Sequence, residues 1–320
     1  MRRRGMRAAA LLLAAGMLLA AGCGGTASAS GTSAAPAVSG GTAEGAGAAV
    51  AGGTVAGTAS EAATETAANA GEASSAQDAG AASYDYSGRK VSISGDSIST
   101  FSGYIPDSYN QNYPADDLQD VSQTWWMQVI QNKGMVLLSN ASYSGGLISG
   151  DSMDTTGQHA CGFTRTNDLR GADGTDPDVI MVMSGTNDFL NARPIGSYTE
   201  GEAIAEEGVV WDFSDAYALM LTKLKAQYPN ARIVCMTCIP VTRWSDENRQ
   251  EYSAAVNDLG VTIEAYNEKI KEVAAIFDCP VVDTYRSFTD AESSQYTYDG
   301  VHPNAAGAKK MADYVTANLY

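Results

Sequence analysis

Histidine is almost missing from this chain: 320 residues contain two, His159 and His302. That scarcity excludes a zinc site built from several histidines. It also leaves only two choices for any chemistry that needs an imidazole base. Positive charge is scarce as well. Twenty Lys and Arg stand against 37 Asp and Glu, a formal balance of −17. Nucleic acid and anionic membrane surfaces are poor partners for such a chain on charge grounds. Cysteine is limited to five residues. Cys235 and Cys238 spell C-x-x-C, but inside "RIVCMTCIP", which reads as a buried strand on which residues three apart face opposite sides. Buried thiols are expected there, and a longer-range bridge through Cys161 or Cys279 stays open.

Between Gly24 and Ser83 there is no aromatic residue and almost no large aliphatic one; Ala, Gly, Ser and Thr dominate. Such a segment cannot bury enough apolar surface to offset the entropy of ordering it. It is expected to be a disordered tether with a reach of roughly 40 Å. Ahead of it, Arg2, Arg3, Arg4 and Arg7 form a basic start to an apolar run from Ala8 to Ala21. The run is too short for a comfortable membrane span, and the pattern is that of an export leader over 1–22. It ends in "AAGC", which resembles a bacterial lipobox, although Ala20 stands where that motif usually has Leu. Cys23 would then carry lipid and begin the mature chain, and residues 23–83 would hold an exported cell-surface lipoprotein to the bacterial membrane. The alternative is an ordinary cleaved leader with an incidental cysteine.

At Tyr84 the composition changes abruptly, and residues 84–320 suit one large α/β domain. Strand-length apolar runs fall at Lys90–Ser94, Met135–Ser139, Asp178–Ser184, Arg232–Ile239 and Pro280–Asp283. Their continuity argues for strands covered on both faces. Helical spacing separates them in "QTWWMQVIQNKG", in Asp215–Gln227, in Val261–Phe277 and from about Asn304 onward. Five strands alternating with helices predict a doubly wound, mostly parallel sheet in three layers. Reactive loops in such sheets gather at the carboxyl ends of the strands.

The string "ISGDS" occurs twice, ending at Ser97 and at Ser152. Ser97 directly follows the first strand run. Ser152 follows a glycine-containing stretch with no convincing strand, where a loop or helix-capping role is expected. A serine hydroxyl is a weak nucleophile without a base. His159, in "TGQHACGF", has no carboxylate in a suggestive register and reads as a loop residue. His302, in "YDGVHPN", has Asp299 three residues earlier, and a turn of that length can bring the carboxylate to the far imidazole nitrogen. Oxyanion donors are on offer in "NASYSGG", through the Gly145 backbone N–H, and in "GTND", through the Asn187 amide.

Taken in order, "GDSI", "NASYSGG", "GTND" and "DGVHPN" resemble the four sequence blocks of the SGNH, or GDSL, hydrolases over essentially Lys90–Tyr320. The resemblance implies a flavodoxin-like three-layer α/β/α fold and ester hydrolysis without a cofactor. It implies Ser97 as nucleophile, His302 as general base and Asp299 as its orienting carboxylate. It implies an oxyanion hole of the Ser97 and Gly145 N–H groups and the Asn187 side chain. The second Gly-Asp-Ser has no counterpart in the pattern.

The blocks specify an ester but not which one. Loops after Ser97, Asn187 and the fourth strand offer Tyr104, Tyr109, Tyr113, Arg193, Arg243 and Trp244, residue types that stack on sugar rings and bond to hydroxyls. No long apolar lid is evident. A short-chain acyl ester, acetyl above all, on a carbohydrate is the expected substrate. A lipase, lysophospholipase or thioesterase of the same fold, or a ligand-binding lipoprotein without activity, are the alternatives.

Overall fold

A computed structural model describes residues 84–204, 207–244 and 252–320. The expected leader, tether and lipidation site at Cys23 lie outside the described residues. Five strands form one sheet: β1 (Lys90–Gly95), β2 (Val136–Asn140), β3 (Val179–Met183), β4 (Arg232–Met236) and β5 (Val281–Val282), in the order β2-β1-β3-β4-β5. Every pairing in it is parallel. The helices are α1 (Trp125–Asn132), α2 (Phe163–Asn167), α3 (Thr186–Leu190), α4 (Phe213–Gln227), α5 (Ile263–Ile276), α6 (Ser293–Tyr296) and α7 (Ala305–Asn318).

Period-two alternation along the central strands creates two cores. Val179, Met181 and Met183 join Val91, Ile93, Val234 and Met236 on the face covered by α1 and α7. Ile180 and Val182 join Ile233 and Cys235 on the face covered by α4 and α5. This is the expected three-layer α/β/α arrangement. Each fully buried Val, Ile or Met in it contributes about 1.5–3 kcal/mol. β2 departs from the expectation of strands covered on both faces: Val136 is exposed and Leu137–Ser139 are half-buried. It is an edge strand, so helix cover thins out over it.

The fourth strand is shorter than the apolar run suggests. It ends at Met236, because Thr237 turns to Asp283 (Oγ1 to Oδ1, 2.9 Å) and the Cys238 N–H donates to Asn267 Oδ1 at 2.8 Å. Cys235 and Cys238 are therefore not on one strand. Cys161, Cys235, Cys238 and Cys279 are all free and buried.

Short pieces the sequence pattern does not announce sit in the connections. They include an antiparallel pair joining Gly150–Asp151 to Val209–Val210, and another joining Thr242–Trp244 to Tyr252–Ala254. At the amino ends of the strands, Tyr86 Oη donates to the Tyr320 carbonyl at 3.3 Å and Arg232 Nη2 donates to the same oxygen at 2.7 Å.

Candidate active site

The end of β1 is built for close approach. A Cβ on Gly95 would sit 2.5 Å from Ser99 Cβ and Oγ and 2.9 Å from Ser142 Oγ, so only glycine fits. Asp96 then caps a 3₁₀ turn over Ser97–Ser99, its carboxylate accepting the Ile98 N–H at 3.1 Å. Burial pushes the Asp96 carboxyl pKa up, against hydrogen bonds from Ile98 and Thr186. The turn leaves Ser97 at the carboxyl end of the sheet, where reactive loops gather in this architecture.

His302 comes to Ser97 from a loop ahead of α7. Gly300 holds φ at +88°, and a Cβ there would run into the Thr242 carbonyl. Asp299 Oδ1 accepts the backbone N–H groups of Val301 (2.9 Å) and His302 (2.7 Å). Its Oδ2 lies 2.6 Å from His302 Nδ1, while His302 Nε2 lies 2.8 Å from Ser97 Oγ. This geometry fits the tautomer that donates to Asp299 and accepts from Ser97. Burial alone would raise the Asp299 pKa, but the His302 side-chain and backbone hydrogen bonds and the Val301 N–H outweigh it and hold the carboxyl below its usual range. Tyr298 stacks on the imidazole at 5.6 Å between ring centroids.

The oxyanion candidates converge less directly. Gly145 has φ of +80° and open space where a Cβ would project. Among the described residues, the N–H groups of Ser97 and Gly145 donate to no backbone carbonyl. Asn187 Nδ2 donates one hydrogen to the Gly146 carbonyl at 3.0 Å, which ties the third block to the second and leaves its other amide hydrogen. Asp188, beside it, is fully buried and accepts from the N–H groups of Ile148 (2.8 Å) and Ser149 (2.9 Å) and from Ser149 Oγ (2.6 Å). Sequence reasoning missed this clamp. The available signal was an acidic residue directly after Asn187 in a segment otherwise apolar enough to be buried.

The second copy of the ISGDS string is built into the core. Its Ser149 belongs to the Asp188 clamp, and Ser152 is fully buried, with Lys223 Nζ donating to its carbonyl at 2.7 Å. His159 corrects the sequence reading in one respect: it does have a carboxylate. Asp154 Oδ2 accepts the His159 N–H at 2.9 Å and lies 3.5 Å from Nδ1. The ring packs where Gly150 lacks a Cβ, and burial lowers the His159 pKa despite Asp154.

The loop candidates divide. Tyr104 is 40 % exposed, with its ring against Phe101 and Trp126. Tyr109 and Tyr113 are both buried. Tyr109 Oη donates to Asp168 at 2.6 Å, and Tyr113 Oη donates to the Pro303 carbonyl at 2.7 Å, next to His302. These tyrosines hold loops instead of facing a ligand. Arg193 places its guanidinium 4.7 Å from the centre of the exposed Trp211 ring. Arg243 and Trp244 lie on the short strand Thr242–Trp244.

A family model described as GDSL-like lipase/acylhydrolase matches residues 89–272, more than half of the chain. The chain belongs to this family. Solved structures agree with the fold of this GDSL-like acylhydrolase. A protein from Bacteroides uniformis described as a GDSL-like lipase is 26 % identical, with a TM-score of 0.53 over 72 % of this chain and 95 % of that one. Another from Bacteroides ovatus, with the same description, is 23 % identical, with a TM-score of 0.53 over 72 % of this chain and 97 % of that one. A multidomain esterase of Ruminococcus flavefaciens is 29 % identical over 138 residues, 43 % of this chain. The chain spans about 15 % of that relative's length. The matched segment carries Ser97, Gly145 and Asn187; Asp299 and His302 lie beyond residue 272, where the match ends.

Proposed function

We propose that this GDSL-like acylhydrolase is a serine carboxylic-ester hydrolase acting through an acyl-enzyme on Ser97. The observation that carries the reading is the unbroken relay of 2.6 Å from Asp299 to His302 and 2.8 Å from His302 to Ser97. Ser97 Oγ attacks the acyl carbonyl as His302 Nε2 takes its proton. The negative charge on the tetrahedral oxygen falls to the Ser97 and Gly145 N–H groups and the free hydrogen of Asn187 Nδ2. His302 then protonates the departing alkoxide, and water repeats the sequence on the acyl-Ser97 ester, returning the acid and the free hydroxyl. Asp299 keeps the imidazole in the required tautomer and stabilises its cationic form.

The substrate class is a short acyl group, acetyl above all, on a carbohydrate. The His302 side chain is 20 % exposed and that of Asp299 40 %, which fits a bulky, polar leaving group more readily than a closed acyl tunnel. The relative from Ruminococcus flavefaciens is described as an esterase, which supports ester hydrolysis without specifying the acyl group or the alcohol. A tunnel that buried the six extra methylenes of an octanoyl chain would gain roughly 5 kcal/mol. Without one, acetyl esters are expected to exceed octanoyl esters in kcat/KM across a p-nitrophenyl series of two to twelve carbons. Acetate release from acetylated polysaccharides is expected alongside. An optimum at eight carbons or longer would overturn this and favour a lipase or lysophospholipase.

Location belongs to the same proposal: Cys23 carries the lipid of an exported lipoprotein, and the segment up to residue 83 tethers the enzyme to the membrane. One acyl chain holds a protein only marginally, so the anchor requires several. Cys23→Ser is expected to move the protein from the membrane fraction to the soluble one, or to stop its processing; unchanged membrane association would reject the anchor.

A further inference from the structure

Arg165, on the short helix α2, is 1 % exposed and lies behind the oxyanion loops. Its Nη2 donates to the Gly95 carbonyl, which also receives the Tyr143 N–H at 3.1 Å. Its Nη1 occupies the place a side chain would need at Gly146: a Cβ there would stand 2.7 Å from it. One guanidinium thus touches the residue two before Ser97 and the residue after Gly145. Gly146 is also the residue whose carbonyl receives Asn187.

A purely structural arginine at this depth would be expected to satisfy its donors or sit in an ion pair, because a buried unpaired charge is costly. Arg165 satisfies only Nη2, through the Gly95 carbonyl, and forms no ion pair among the described residues. Among the described residues, Nε and Nη1 have no acceptor, and Asp96, Asp188 and Asp154 act on it only through longer-range attraction. Burial pulls the Arg165 pKa down, yet a guanidinium starts so far above neutrality that it keeps its charge. A positive charge with no carboxylate in contact among the described residues therefore stands behind the loops that present the oxyanion donors. Asp96 and Asp188 fix the same two loops through their own hydrogen bonds, so the charge is held by geometry on both sides.

We propose that Arg165 is a positioning residue for the oxyanion hole: it pins the Gly95 carbonyl against the Gly145–Gly146 turn and adds a fixed positive field where the tetrahedral oxygen becomes negative. It touches no reacting atom. This inference rests on the hydrolase reading above, and both share one control, turnover of p-nitrophenyl acetate by the wild-type chain.

The test compares full-length Arg165→Met, Arg165→Gln and Arg165→Lys, with folding checked by circular dichroism. The readouts are kcat, KM and inhibition by phenylboronic acid, which forms a tetrahedral anionic adduct with an active serine. The uncharged variants are expected to lose on the order of 10²-fold in kcat with KM changed little, and to bind the boronate more weakly by a similar factor. Lys keeps the charge but not the planar fork, and is expected to recover part of both losses. Wild-type kcat in either folded uncharged variant would overturn the proposal, as would a loss of kcat with boronate affinity unchanged. If neither uncharged variant folds, Arg165→Lys decides: a reduced kcat at unchanged KM with weakened boronate binding supports the role, and wild-type values reject it. An inactive wild-type chain would remove the hydrolase reading and this inference together; an active one with unaffected variants removes only this inference.

Discussion

Ser97→Ala is expected to lower kcat for p-nitrophenyl acetate by on the order of 10⁴-fold or more, about 5 kcal/mol of transition-state stabilisation. It should also abolish covalent labelling by a fluorophosphonate. Ser97 Oγ is the hydroxyl that His302 Nε2 reaches, at 2.8 Å, so its removal takes away the activated nucleophile. Ser152→Ala supplies the contrast. Its serine is fully buried directly after the short strand Gly150–Asp151, and the Asp299–His302 relay ends on Ser97. That variant is expected to keep both labelling and turnover once folded. Loss of labelling in a folded Ser152→Ala protein, with Ser97 intact, would reverse the assignment.

Asp299→Asn is expected to cost about 10⁴-fold in kcat, because an amide facing His302 Nδ1 favours the tautomer that cannot accept the Ser97 proton. The same variant reads out a stability term. Hydrogen bonds hold the Asp299 carboxyl below its usual range in the folded chain, so its unfolded pKa of about 3.9 is the higher of the two. A depressed carboxyl contributes stability that is fully present above the unfolded value and is lost as pH falls through the folded one. The difference in Tm between wild type and Asp299→Asn should therefore be largest near pH 7 and shrink below about pH 4. A difference that is flat or grows toward acid would contradict the carboxylate's place in the relay. The Asp299 side chain is 40 % exposed, which keeps this stability effect small beside the loss of turnover.

Much of this site could be read in the sequence because its parts are local. Ser97 follows a strand directly, and Asp299 and His302 are separated by one turn, so spacing carried the chemistry. The three-layer sheet was legible for the same reason, since each strand and each long helix is a run with its own period. The clamps were not legible. Asp188 works by reaching back to Ile148 and Ser149, and Arg165 by reaching Gly95, 70 residues earlier. The apolar setting of Asp188 hints at burial, but no local pattern names the partners that either residue reaches across the fold. Tyr109 and Tyr113 failed in the opposite direction. Polar neighbours made their segment look like a binding loop, yet their rings are core and their hydroxyls serve Asp168 and Pro303. The end of β4 was misjudged because an apolar run does not record where Thr237 and Cys238 find side-chain partners off the sheet.

Tyr86 and Arg232 both donate to the Tyr320 carbonyl, at the pole of the sheet opposite Ser97. Segments distant in the chain are therefore neighbours at the pole away from the relay. A short linker between Tyr320 and Tyr84 would circularly permute residues 84–320 at this pole. New ends could then be opened at Gly174, a positive-φ turn with open space around its Cβ position. The order of the catalytic blocks along the polypeptide would change, while the pole that holds the relay would keep its surroundings. For immobilisation or fusion the same arrangement favours attachment beside Tyr86, because a carrier placed there leaves the approach to His302 unobstructed.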